Sequence, residues 1–429
     1  MSAGRAARPA PEPPAPLPLG APSMTSPGFL VFALAYVLIS MRRLRWLPLD
    51  RPAVALAAAV ALVVLGVLRP AEALAAVNGP TILLLFGMMG IGSYLAQTGF
   101  FEAAEGVMVR FARTPARLLG VIVWGSGLLS ALITNDAVCI LAAPLVVRLV
   151  RRHRLPALPF LLALATAANS GSAATLVGNP QNMLCAVLGG LSYREHLLLV
   201  GPAALLALGL NHALLWWLFR GRLRAAALAP PGEAPRFSRA CVLTLLVIAA
   251  TAVAYTLGFD LAWSTAAGFV ALMVLHRTET AGIWGRIDWS VLLFFAGLFV
   301  VVEGLVRSGV PDALFRAMPL AAMGPGLGGL LKVAGVFLVG SNLVSNVPFI
   351  LVVRGALKGL ADPRLGWELL AMVSTFAGNL TLLGSVANII VAEAGREVGG
   401  MGFWEYLRVG TPLALGATLL GTVWLWLVW

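Results

Sequence analysis

Small polar residues cluster where an apolar chain should have none. Thr134-Asn135-Asp136 interrupts one hydrophobic stretch and Ser345-Asn346-Val347-Pro348 another, while Asn169 to Asn182 and Gly378 to Asn388 break two more. Asn and Gly are poor helix formers beside Ala and Leu, so each cluster marks a place where the backbone leaves the helix. Breaking a helix frees N–H groups on one half and C=O groups on the other. The freed N–H groups, at the positive end of a half-helix dipole, suit an anion. The freed carbonyls, joined by Asn side-chain oxygens, suit Na+ or another hard cation. This is chemistry for holding ions. A membrane-embedded enzyme would need a catalytic set such as two His and a Glu on one helix, and none of the four histidines has that spacing.

The clusters come in duplicate. Ser130-Ala131-Leu132-Ile133-Thr134-Asn135 recurs as Ser341-Asn342-Leu343-Val344-Ser345-Asn346, displaced by 211 residues. Thr175-Leu176-Val177-Gly178-Asn179-Pro180-Gln181-Asn182 recurs as Thr381-Leu382-Leu383-Gly384-Ser385-Val386-Ala387-Asn388, displaced by 206. Upstream, Gly87, Leu95, Thr98 and Gly99 match Gly297, Leu305, Ser308 and Gly309, displaced by 210. Paired polar breaks inside hydrophobic segments are the sequence mark of a substrate site shared by two halves of a transporter.

The elements that position these clusters are membrane helices. The chain is 60% hydrophobic and only 11% charged, with mean hydropathy +0.92, far from the roughly one-quarter charged residues of a soluble globule. Apolar runs occupy 28–41, 52–70, 79–98, 118–134, 136–150, 156–177, 198–219, 240–257, 261–276, 288–306, 329–343, 347–358, 367–383 and 408–428. Many approach the roughly 20 residues that cross a bilayer. The net charge of +12 is no nucleic-acid footprint, because the arginines lie in short loops where the positive-inside rule places them. Arg42, Arg43, Arg45 and Arg51 mark one cytoplasmic loop, Arg110, Arg113 and Arg117 the next, and Arg148, Arg151, Arg152, His153 and Arg154 a third. The second and third flank 118–150 on both sides, so that segment enters and returns on one face as a re-entrant hairpin tipped by Thr134-Asn135-Asp136. Non-helical backbone at that depth must face protein or a cavity. Counting spans forward puts the matching hairpin, 329–358, on the opposite face, where its flanks carry Asp312 and Asp362.

The expected fold is therefore an all-α integral membrane protein of two inverted repeats. Each repeat has five transmembrane helices and one re-entrant helical hairpin, with helices broken at the substrate site. A Pro/Ala-rich disordered tail covers 1–27, repeat one 28–220, a cytoplasmic linker 221–237 and repeat two 238–429. No cleavable leader stands out at the start of the first run.

Asp136 is the one carboxylate among the breaks, and its repeat-two counterpart is Val347. A carboxylate inside a membrane is costly and functional by default, which makes Asp136 the coupling candidate. It also suits the N-cap of the returning arm. Glu303 is expected to pair with Arg307 one turn away, and His212 to be a hydrogen-bonded packing residue. Cys139, Cys185 and Cys241 lie in or beside apolar runs and form no disulfide framework; Cys139 and Cys185 read as small packing residues. Trp216, Trp217, Trp424, Trp426 and Trp429 fit interfacial belts. No Lys or Arg lies within the four breaks, so a multivalent anion would need dipoles, hydroxyls and co-bound cations to hold it.

The paired hairpin tips and Gly-Asn interruptions resemble the ion transporter superfamily, which includes divalent anion–sodium symporters, arsenite permeases and sodium/proton antiporters. Thr134-Asn135-Asp136, followed by an apolar arm with Pro144, is similar to the arsenite-permease branch. Gly178-Asn179-Pro180-Gln181-Asn182 resembles a group of bacterial anion-transporter permeases. The resemblance implies an ion-coupled secondary transporter of a small anion in the inner membrane, with an arsenite/antimonite efflux permease or a sodium/proton antiporter as alternatives. It implies Na+ or H+ as coupling ion, no further cofactor or metal, a small anion or oxyacid as substrate, and allows a homodimer in the lipid bilayer. The expected binding residues are Thr134, Asn135, Asp136, Asn169, Thr175, Gly178, Asn179, Asn182, Ser345, Asn346, Asn379, Thr381, Gly384 and Asn388.

Overall fold

Helices start where the sequence offers a side-chain oxygen and often a proline behind it. Asn78 caps Thr81 N before Pro80, Thr114 caps Arg117 N before Pro115, and Asp362 caps Arg364 and Leu365 N around Pro363. Each cap satisfies N–H groups that the first helical turn leaves unpaired, and proline costs nothing there. A computed structural model describes residues 24–40, 49–228, 237–277, 279–324 and 326–429. Among these the chain is all helix and turn. The first half runs α1 (Pro27–Ser40), α2 (Arg51–Val64), α3 (Pro70–Ala76), α4 (Gly79–Gln97), α5 (Phe100–Ala112), α6 (Pro115–Leu132), α7 (Asn135–His153), α8 (Ala157–Ser172), α9 (Pro180–Gly189) and α10 (Tyr193–Arg224). The second half follows in the same order of long and short elements. These are α11 (Arg239–Thr256), α12 (Leu261–His276), α13 (Ala281–Trp284), α14 (Trp289–Arg307), α15 (Val310–Ala317), α16 (Gly326–Val344), α17 (Asn346–Leu357), α18 (Pro363–Ala377), α19 (Val386–Gly395) and α20 (Phe403–Val428).

Seven of these helices are long and apolar enough to cross a membrane. The expected tail falls outside the described residues up to position 23, as do 229–236 of the expected linker; α10 runs on to Arg224, past the boundary expected at 220. Gly99 and Gly309, a matched pair in the sequence, both take positive φ (74° and 70°) and turn the chain into α5 and α15. Only glycine adopts that geometry without strain.

Packing follows the same duplication. Helix α4 lies on α12 as α14 lies on α2; α6 lies on α8 as α16 lies on α18; α7 meets α19 as α17 meets α9; and α10 meets α20. Exchanging the halves leaves this set of pairs unchanged. At the centre, α8 and α18 are buried on every side, Pro159–Ser172 in one and Gly366–Ala377 in the other. Small residues permit this: a Cβ on Gly171 of α8 would lie 2.1 Å from the Gly127 carbonyl oxygen of α6. Close backbone approach through Gly and Ala is how membrane helices pack without a hydrophobic drive.

Polar contacts gather the helix ends into two groups. One holds Arg151–Glu397 (2.7 Å), Arg148–Glu105 (3.5 Å) and Ser238 Oγ donating to Thr98 O (3.1 Å). The other holds Arg307–Glu72 (3.0 Å), Arg307–Glu303 (3.4 Å), Arg354–Glu303 (3.1 Å), Arg364–Glu195 and Trp429 Nε1 donating to Asp362 (2.8 Å). The base of the α6–α7 hairpin falls in the first group and that of α16–α17 in the second.

Candidate functional site

The four helix starts at α7, α9, α17 and α19 meet between the halves. At the first tip, Thr134 Oγ1 accepts from Ala137 N (3.4 Å) and opens α7. Asn135 N donates to Gly178 O (2.9 Å), tying the tip to the break after α8. The amide of Asn135 reaches further and donates to Asn169 Oδ1 (2.9 Å). At the second tip Ser345 has φ +68°, its side chain caps nothing, and it is exposed. The two tips are therefore alike in sequence but not in geometry.

Behind the tips the two breaks exchange hydrogen bonds. Asn169 Nδ2 donates to Asn388 Oδ1 (2.9 Å) and Asn379 Oδ1 (3.0 Å). Thr375, the counterpart of Asn169 at the 206-residue displacement, donates to Asn182 Oδ1 (2.9 Å), the counterpart of Asn388. Asn179 Nδ2 donates to Thr375 Oγ1 (3.1 Å), and its counterpart Ser385 donates to Asn169 Oδ1 (3.0 Å). Within each break the last asparagine folds back: Asn182 Nδ2 donates to Thr175 O (3.0 Å) and Asn388 Nδ2 to Thr381 O (3.3 Å). Thr175 Oγ1 donates in turn to Ala131 O (2.7 Å) at the end of α6. The asparagines, Thr175 and Thr375 are buried and partnered, and Ser385 is half-buried and partnered, as an interior without water requires.

In front of this layer lies a cavity of about 340 Å³. Asn135, Asp136, Ser345, Asn346 and Gly384 line it, together with Gln181 and Ser385 at the starts of α9 and α19. Phe294, Phe295 and Leu298 of α14 and Tyr36 of α1 form an apolar wall, and Arg51 of α2 also lines it. Thr134, Asn169, Thr175, Gly178, Asn179, Asn182, Asn379, Thr381 and Asn388 do not line it; they form the hydrogen-bonded layer behind. Asp136 is half-buried and accepts the Ala387 N–H from the first turn of α19, so this carboxylate sits on a helix start from the other half. The Oδ1 atoms of Asn135, Asn342 and Asn346 are buried and have no hydrogen-bond partner among the described residues. All three residues line the cavity. Carbonyl oxygens without donors are the ligands that Na+ takes.

Other sequence candidates fall elsewhere. Glu303 pairs with Arg307, as its spacing suggests, and also with Arg354 of α17. His212 Nδ1 accepts from Trp124 Nε1 (3.3 Å), and Cys139, Cys185 and Cys241 are buried free thiols. A buried pair escaped the sequence reading. His196 Nδ1 lies 2.5 Å from Glu368 Oε2, and both side chains are fully buried. The available signal was a glutamate inside the apolar run 367–383.

Known proteins share this architecture. Residues 36–377 match the family profile described as CitMHS, citrate transporter. The silicon efflux transporter LSI3 of Oryza sativa subsp. japonica is 30% identical over 92% of this chain and 96% of its own length. The inner membrane protein YbiR of Escherichia coli K12 is 29% identical over 81% of this chain and 88% of its own. Among solved structures, the Alcanivorax borkumensis YdaH transporter matches with TM-score 0.56 and 17% identity, over 93% of this chain and 96% of that one.

Proposed function

The chain belongs to the citrate transporter family, and from that premise we propose that it is an ion-coupled secondary transporter. It moves a small oxyacid, as anion or neutral acid, across the inner membrane by alternating access. The observation that carries this reading is the lining of the cavity. Residues of two hairpin tips and two half-helix starts line it, the positive ends of helices that suit an oxyacid, while three Asn oxygens with no donor among the described residues and the Asp136 carboxylate suit Na+ or H+ beside it. With no Lys or Arg in any break, a neutral acid or a small anion with a co-bound cation fits better than a free multivalent anion.

Inverted repeats supply the moving parts. Five spans in the first half make the second enter the membrane the other way, and the exchanged helix pairs and separate hairpin bases support that arrangement. Hairpins and broken helices then move as one bundle against a frame that includes α2, α4, α12 and α14. Arg51, in the group of arginines read as cytoplasmic, lines the cavity, which supports an opening toward that side in this conformation. A second reading, a carboxylate such as citrate entering with cations, has Arg51 on the cavity wall in its favour.

The test is flux into proteoliposomes of arsenite, silicic acid, citrate and inorganic anions, with and without Na+ and proton gradients. Gradient-driven, saturable uptake of one oxyacid is the expected result. Flux that neither saturates nor responds to a gradient would mean a passive channel.

A further inference from the structure

We propose that the buried His196–Glu368 pair is a proton-binding site of this transporter, separate from Asp136, which deepens the ion-coupled reading above and rests on it. His196 lies in the first turn of α10 and Glu368 in the second turn of α18, so the pair joins the two halves. The proton inventory follows from geometry. His196 Nε2 lies 3.0 Å from Ala173 O, a carbonyl that can only accept, so Nε2 carries a proton. The 2.5 Å approach of Nδ1 to Glu368 Oε2 holds one more. The pair is neutral with that proton in place, whichever atom it rides on, and carries one negative charge once it leaves.

Its surroundings make the proton consequential. Glu368 Oε1 is buried and has no donor among the described residues. A buried ion pair left short of a hydrogen bond is poor stabilising material, and an apolar pair of similar size would usually serve the fold better. The repeat provides that comparison within one chain: Leu162 matches Glu368 at the 206-residue displacement, and Tyr406 is the fourth residue of α20 as His196 is of α10, with its hydroxyl reaching the Asn379 side chain (3.5 Å). The ionisable pair is thus an addition to one half. Ala173 O, to which His196 Nε2 donates, is also within reach of Asn182 Nδ2 (3.5 Å), so the charge of the pair lies one hydrogen bond from the first break.

Few other charges face the pair. Helix α9 brings Cys185, and α8 carries no ionisable side chain. Of the other helices packed on α18, α16 and α17 carry only Lys332 and Arg354, and α20 carries its ionisable groups at the Asn379 end. Arg364, one turn before Glu368, pairs with Glu195, the neighbour of His196, at the surface. A half-exposed ion pair thus links the same two helices next to the buried one.

Infrared difference spectroscopy tests this without a known substrate. The purified full chain in lipid is titrated across the pH range in which it stays folded, in water and in D2O. The expected result is a titrating carboxylic-acid or imidazole–carboxylate band that shifts in D2O, is absent from Glu368→Gln and persists in Asp136→Asn. Coincident spectra for wild type and Glu368→Gln overturn the proposal. Should Glu368→Gln not accumulate, His196→Gln keeps the carboxyl group but removes its imidazole partner, and the band changes position; an unchanged band overturns the proposal too. Failure of every flux assay with the band intact would refute ion-coupled transport and leave the proton site standing.

Discussion

Asn169 is the side chain on which both breaks hang. Its amide donates to two asparagines of the other half and its carbonyl accepts from Asn135 and Ser385. Asn169→Ala strands those buried groups, at about 1–3 kcal/mol for each one left unsatisfied. We expect a fall of several degrees in thermal unfolding in detergent together with loss of flux, whereas Ser385→Ala, which removes one bond, costs about 0.5–1.5 kcal/mol. Asp136→Asn is the sharper probe of coupling, because an asparagine still accepts the Ala387 N–H but carries no charge. Gradient-driven flux should disappear while the unfolding temperature stays put; driven flux that persists would leave Asp136 as a cap alone. The sequence revealed these asparagines because they violate helix propensity inside apolar runs. It did not reveal His196 and Glu368 as partners, since a contact between residues 172 apart leaves no local spacing to read.

Between elements, α6 and α8 make a close backbone contact. A methyl group at Gly171 would collide with the Gly127 carbonyl, while one at Gly125 meets nothing within 4 Å. Gly171→Ala should therefore abolish accumulation or unfold the protein at markedly lower temperature, and Gly125→Ala should be neutral or slightly stabilising through its better helix propensity. Equal behaviour of the two would refute the packing argument. At the other hairpin, Arg354 of α17 holds Glu303 of α14, which Arg307 ties to Glu72 and Arg69. Hydrogen bonds from Arg69 hold the Glu72 carboxyl down at about 2. The contribution of Glu72 is therefore complete above the ordinary carboxylate range and lost as pH falls through about 2. Exposed pairs contribute about 0–1 kcal/mol, so Arg354→Ala should barely alter stability. It should raise the external labelling rate of Ser345→Cys by up to about fivefold, the equivalent of 1 kcal/mol; an unchanged rate would reduce the pair to surface decoration. Hydropathy located α12 to the residue, at 261–276, but ran past the end of α18 because Leu380, Leu382 and Leu383 are apolar although the helix stops at Ala377. It passed over α5 and α15, whose Glu102, Glu105, Arg110, Asp312 and Arg316 break up any apolar run.

Over the whole molecule, the duplicated element order was legible because polar breaks repeat at nearly constant displacement, and the exchanged packing pairs extend that duplication into space. Inversion makes a direct prediction. Arg152→Cys at the base of the first hairpin should label only from the cytoplasm, and Lys358→Cys at the base of the second only from outside; both positions are exposed, and the three native thiols are buried. Labelling of both from one side would exclude opposed hairpins. The cross-half hydrogen bonds also constrain how the protein is made. When Asn169 leaves the ribosome, its acceptors on Asn379 and Asn388 are 210 and 219 residues from being synthesised. At about 5–20 residues per second, the amide must wait on the order of 10–40 s in a nascent chain that cannot yet close its own centre. Until the second half arrives, the first is a client of the insertion machinery and the quality-control proteases, and its survival depends on how quickly translation reaches the last asparagine.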